Sequence, residues 1–328
     1  MGGSFADKQY VYAVARIRGA ETALLTASVM EQLISAESAD ACMRILSDRG
    51  YGSGALGETE ESLIASERAK LWALMAELVP DLSVFNVFRV QNDYHNLKAA
   101  IRASVMQFDY PDIYIADGTA DWKLIRDAIR SRSYAALPEG MRAVAERAHD
   151  VFLRTRDGQR SDLLIDRAAL EAVRAAGAQS GQAFLELYAE LTVAAADIKI
   201  AVRAAKTGKS AEFLSEALCP CASLDTELLL KAASTEGVGA IAAYLENTDY
   251  ADAAEALKKS TALFERWCDD FLIERIRTQQ SNPFGLGPLA AYILAREAEL
   301  KSVRVILSAK RNGFSAAVIR ERVRETYV

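Results

Sequence analysis

The sequence predicts an all-α protein, and three observations carry that expectation. Apolar residues recur at helical spacing along most of the chain, while the period-two alternation of half-buried strands is hard to find. Only six prolines occur in 328 residues. Each of them, at 80, 111, 138, 220, 283 and 288, lies near a place where a helical stripe stops, where a residue without a backbone donor is tolerated.

Composition sets the outer limits. A chain of 328 residues suggests roughly two domains by length, and 51% hydrophobic residues suffice for a sizeable core. A formal net charge of −6 and a pI near 5.3 argue against a nucleic-acid footprint, which needs clustered Lys and Arg. The start, MGGSFADKQYVYAV, lacks a positively charged segment followed by an apolar core, so synthesis in the cytosol without a secretory signal is expected. The longest uncharged run, Thr278 to Ala295, has the length of a membrane span. It holds two prolines, two glycines, Gln279, Gln280 and Asn282, which argues against one.

Taken in order, Tyr10, Val14, Ile17, Leu24 and Leu25 form a first stripe, and Leu63, Ile64, Leu71, Leu74, Met75 and Leu78 a second. Val87, Val90, Tyr94, Leu97 and Ile101 form a third. Adding 101 to each of these numbers gives Tyr188, Leu191, Ala195, Ile198 and Val202, again with helix-core spacing. The same step relates Ala100-Ile101-Arg102, Ala201-Val202-Arg203 and Ser302-Val303-Arg304. A second echo is an aliphatic residue five before a tyrosine: Leu46 and Tyr51, Ile129 and Tyr134, Leu245 and Tyr250. Three related helical units follow, 1–107, 108–208 and 209–328, sharing long faces.

The last stretch, Asn282 to Val328, sets Arg296, Glu297, Glu299, Lys301 and Arg304 among Leu300, Val303, Ile306 and Leu307. Charges in an apolar helical pattern must be paired or must bind something. Its Pro-Phe-Gly opening, AYILAREAELKSVRVI core and RERVRETYV ending resemble the C subunit of rotary V/A-type ATPases, known as the d subunit in the eukaryotic proton pump. Tyr10 to Gly52 looks like the start of the same family, whereas between roughly Pro111 and Glu216 the likeness is a pattern of helices.

The resemblance implies a funnel of three similar helical modules with no catalytic role. Such a protein would sit on the cytoplasmic face of the proteolipid ring and take the lower end of the central stalk, built of D- and F-type subunits. It would turn with the rotor in ATP-linked proton or sodium transport, with no cofactor, metal or small-molecule substrate of its own. A free-standing helical-repeat scaffold is the alternative from another class, but it calls for units of roughly 35 to 45 residues rather than a step near 101.

Within this frame seven charges are candidates for a stalk socket or its support: Arg102, Arg203, Arg296, Glu297, Glu299, Lys301 and Arg304. In the 101-residue register Arg296 and Glu299 stand where the first unit has Tyr94 and Leu97. Either they form an i,i+3 ion pair, or the register shifts by one so that Leu300 replaces the missing apolar residue, or they face a partner. Glu297, Lys301 and Arg304 fall on one stripe at i, i+4 and i+7, which is either solvated or interfacial. Arg102, Arg203 and Arg304 follow core residues directly, and so border a packed face or line a common opening.

Enzyme motifs do not survive scrutiny. Gly52-Ser53-Gly54-Ala55-Leu56-Gly57 spells GxGxxG, but ADACMRILSDRG before it reads as helix where a dinucleotide fold needs a strand. Asp269, Asp270 and Glu274 lack the second acidic cluster that would bridge metal ions to a diphosphate. No GxxxxGK[ST] loop or GxSxG elbow occurs. Cys42, Cys219, Cys221 and Cys268 form no CxxC pair, and His95 and His149 have no ligand-like partner at helical spacing.

Overall fold

Helix is the only regular structure among the residues described by the computed structural model, which are 10–55, 57–108, 110–235 and 237–328. The all-α expectation therefore holds. Residues 1–9 of the start and Leu56 of the glycine motif lie outside the described residues. Contacts divide the chain into two compact units. Unit 1 combines the chain up to Leu82 with Glu255–Val328, and unit 2 is Ser83–Ala254.

Unit 1 contains α1 (Val11–Glu21), α2 (Ala27–Ser35), α3 (Ala39–Asp48) and α4 (Glu60–Leu78) from the first part of the chain. The last part supplies α14 (Thr261–Arg277), α15 (Gly287–Arg311) and α16 (Ala316–Arg322), while α13 (Ala251–Lys259) spans the boundary. Helix α15 is the central element and packs on α1, α3, α4, α14 and α16. Its Leu300, Val303, Ile306 and Leu307 meet Leu33, Cys42, Leu46, Leu63 and Ile64 in one core. Pro288 in its first turn lacks a donor where none is needed.

The first stripe is broken where its apolar spacing suggests that it runs on. Helix α1 ends at Glu21, and tight bonds from Ala23 N to Ala20 O and from Leu24 N to Glu21 O turn the chain. Leu24 and Leu25 are buried all the same, from the turn rather than from a helix face. The second stripe lies on α4, where Thr59 and Ser62 form a reciprocal cap at the N-terminus.

Unit 2 is built on three long helices, α5 (Asn86–Met106), α8 (Gly158–Gln179) and α9 (Ala183–Thr207). Around them lie α6 (Trp122–Ser131), α7 (Glu139–Thr155), α10 (Ala211–Ala217), α11 (Thr226–Thr235) and α12 (Val238–Leu245). Helix α8 packs on α5, α7 and α9. Its approach to α9 depends on Gly177, where a Cβ would come within 2.6 Å of the Ala189 Cβ. Leu97, Ile101, Ile125, Ile129, Met141, Ala145 and Ile165 fill the larger core.

The repeated triplets fall on α5, α9 and α15. Ile101, Val202 and Val303 are buried, and the arginine after each is exposed. Each echoed tyrosine follows a helix end and finds a polar partner. Tyr134 Oη lies 2.9 Å from His149 Nδ1, Tyr250 Oη lies 2.8 Å from Ser223 Oγ, and Tyr51 Oη accepts from Arg296.

Candidate functional site

Arg296 and Glu299 are both buried, at 8% and 6% exposure, together with Glu67 at 2% and Tyr51 at 3%. A charge with so little water must be met by protein groups. The Arg296 guanidinium donates from Nη1 to Glu299 Oε1 and, at 2.5 Å, to Tyr51 Oη, and from Nη2 to Glu67 Oε2. Its Cζ lies 4.5 Å from the Tyr51 ring centroid. Glu299 also accepts from Tyr51 Oη and from Leu25 N, so α15 holds the turn after α1.

Glu67 carries the network outward. Its Oε1 accepts from Gly52 N at 2.8 Å and from Lys70 Nζ at 2.7 Å, and Lys70 also donates to the carbonyls of Gly50 and Gly52. Gly52 sits at φ +82, a backbone conformation open to glycine, and thereby aims its N–H at Glu67. Gly52 of the glycine motif thus anchors a carboxylate just after the end of α3. Two cations, Arg296 and Lys70, balance two carboxylates, Glu67 and Glu299. Burial drives the Tyr51 phenol and the Glu299 carboxyl upward, the latter against Arg296, Tyr51 and Leu25 N. Burial also opposes the Arg296 charge, but Glu299, Tyr51 and Glu67 outweigh it and the guanidinium stays protonated.

The other candidates are placed differently. Glu297 accepts from Arg68 at two atoms, 2.7 to 3.1 Å, while Lys301 pairs with Asp269 at 2.6 Å, so these two members of the stripe are tied to α4 and α14. Arg304 is exposed and acts electrostatically on Glu60, whose carboxyl burial pushes up. Arg102 pairs with Asp162. Arg203 lies in a separate groove of unit 2 with Asp162, Asp166 and Lys209. Only Arg296 and Glu299 of the seven are joined directly. Asp269 and Asp270 are taken up by Lys301, Arg324, Arg266 and the Glu325 N–H.

Sequence reasoning missed Glu67 and Lys70. Glu67 interrupts the Leu63, Ile64, Leu71 stripe, the same signal that marks Arg296. It also missed the buried carboxyls of unit 2. Asp93 accepts from Thr119 Oγ1 and from the N–H groups of Thr119 and Ala120. Asp197 accepts from Cys219 N at 3.0 Å, its Oδ2 has no hydrogen-bond partner among the described residues, and burial pushes its pKa up to about 7.

A profile of the family described as ATP synthase (C/AC39) subunit matches residues 13–322. The chain belongs to the ATP synthase (C/AC39) subunit family. Among its C/AC39 relatives, the C subunit of the V-type sodium ATPase of Enterococcus hirae is 26% identical over 95% of this chain and 97% of its own length. The C subunit of the V-type ATP synthase of Thermus thermophilus is 24% identical over 96% and 98%. The C subunit of the A-type ATP synthase of Methanocaldococcus jannaschii is 25% identical over 92% and 82%. The match spans both units, so the C/AC39 region includes the buried network as well as the helices around it. No helix among the described residues is long and apolar enough to cross a membrane.

Proposed function

We propose that the chain is the non-catalytic coupling component of a rotary V/A-type ATPase or ATP synthase. It would join the central stalk, of D- and F-type subunits, to the proteolipid ring at the cytoplasmic face, and so take part in proton or sodium transport. The family match over residues 13–322 is the observation that carries this reading. The three-module funnel, with limits 1–107, 108–208 and 209–328, belongs to the same proposal and is supported by the matching triplets on α5, α9 and α15.

A coupler needs a body that passes torque without yielding, and close-packed interiors with satisfied polar networks are stiff. In this reading Arg296 and Glu299 form the supporting shell of the socket. Arg102, Arg203 and Arg304 are the exposed cations that could meet a shaft, and Glu297 and Lys301 brace α15 against α4 and α14.

The test is co-elution of the purified chain with the stalk subunits and, separately, with the detergent-solubilised ring of the same organism. Binding to both is expected, and binding to neither by a folded protein would overturn the proposal. Neutralising Arg296, Glu299 and Arg304 together then probes the socket. A variant of unchanged thermal stability that still links stalk to ring would remove these residues from it.

A further inference from the structure

We propose that the groove between α8, α9 and α10 in unit 2 is a docking site for an acidic, aliphatic segment of a partner polypeptide. The groove has a volume of about 450 Å³. Leu163, Ile200, Ala204, Phe213 and Ala217 supply its apolar lining, and Arg203 and Lys209 stand among them.

Charge decides what the groove accepts. Its two carboxylates are already engaged by cations of α5, Asp162 by Arg102 and Asp166 by Lys98, the latter at 2.6 Å. Lys209 Nζ donates to the neutral amide of Gln159 at 3.0 Å and lies 5.3 Å from the Phe213 ring centroid. Arg203 makes no ion pair among the described residues. With Asp162 and Asp166 each paired to a cation of α5, Arg203 and Lys209 stand over the apolar floor without an ion-pair partner among the described residues, in a protein whose net charge is −6.

The chemistry that complements this is a carboxylate carried beside a Leu- or Ile-like side chain: the aliphatic group fills the floor and the carboxylate reaches the guanidinium. Nucleic acid fits poorly, because phosphate-backbone binding draws on many cations in a row. The proposal rests on membership of a multisubunit complex only for the source of the segment, since the groove's own chemistry is complete in unit 2.

The test uses the full chain and a labelled amphipathic peptide with one glutamate face and one leucine face. Saturable binding that weakens with salt is expected. Arg203→Glu should weaken it about tenfold, as should replacing the peptide's glutamates by glutamine, while Arg154→Glu, outside the groove, leaves it unchanged. Circular dichroism melts of Arg203→Glu matching wild type show that folding is not the cause. Equal binding by wild type and Arg203→Glu overturns the proposal. So does loss in that variant of binding to phosphatidylserine vesicles but not to peptide, or a self-association of the chain that the same variant abolishes.

In the assembled complex, carbodiimide should join Lys209 to a carboxylate of another polypeptide, whereas a bond only within this chain speaks against docking. Failure of the chain to join stalk or ring, with peptide binding intact and sensitive to Arg203→Glu, would overturn the coupling role and leave the groove assignment standing. Assembly unaffected by Arg203→Glu, with no peptide binding, would do the reverse.

Discussion

Arg296 is held by three segments of unit 1 at once: Tyr51 after α3, Glu67 on α4, and Glu299 one turn along its own helix. Arg296→Met would strand Glu67 and Glu299 as buried carboxylates facing fewer donors. The expected cost is about 3–5 kcal/mol, measured by denaturant unfolding, because a broken buried pair leaves an uncompensated charge. Lys301→Met removes a half-exposed pair with Asp269 and should shift stability by no more than about 1 kcal/mol in the same assay. This contrast separates the network from the decorated surface of one helix. Arg296 and Glu299 were legible because charges stood in an apolar pattern, and their i,i+3 contact was one of the three readings that the spacing left open. Their link to Tyr51 was not, because it joins residues 245 apart and local periodicity says nothing about which distant segment arrives.

Buried carboxyls recur along the long helices, each holding a neighbouring backbone: Asp93 the Thr119–Ala120 turn, Asp197 Cys219, and Glu299 Leu25. Asp197 gives this arrangement a pH signature. Its carboxyl faces Arg167 and Arg174 of α8, Glu190 of α9 and the Cys219 thiol, yet burial dominates and holds the pKa near 7 against an ordinary value of 3.8. Between those values the folded state binds the extra proton, so the contribution is fully present below 3.8 and is lost as pH rises through about 7. Thermal stability should therefore decline across that window in wild type, by up to roughly 4 kcal/mol for this group, and Asp197→Asn should flatten the decline. Helix ends follow local rules, and Ser38, whose side chain accepts from Ala41 N at 3.1 Å, should cost about 1 kcal/mol when replaced by Ala. Gly177→Leu should cost more, because the side chain would collide with Ala189 and force α8 and α9 apart. The helical stripes were legible as elements because period and caps are local. The stop of α1 at Glu21 was not, because Leu24 and Leu25 keep a helical spacing while their burial comes from a turn gripped by Glu299.

Unit 2 is continuous, Ser83–Ala254, with its own core and long helices, whereas unit 1 draws on both ends of the chain. A fragment of residues 83–254 should fold alone, with helical circular dichroism and a cooperative melt. Fragments 1–82 and 255–328 should each stay largely unfolded and gain structure when mixed. The sequence could place helices and suggest a repeat, but not this division, since which helices share a core depends on contacts far apart in the chain. Helix α3 and helix α4 bury their apolar faces against α15. On the ribosome that partner arrives late. At roughly 5–20 residues per second, the growing chain carries Leu33, Cys42, Leu46, Leu63 and Ile64 without their final cover for on the order of ten seconds or more. Unit 2 can close during that interval while the early helices wait, so nascent chains halted before Gly287 should be the ones that recruit chaperones.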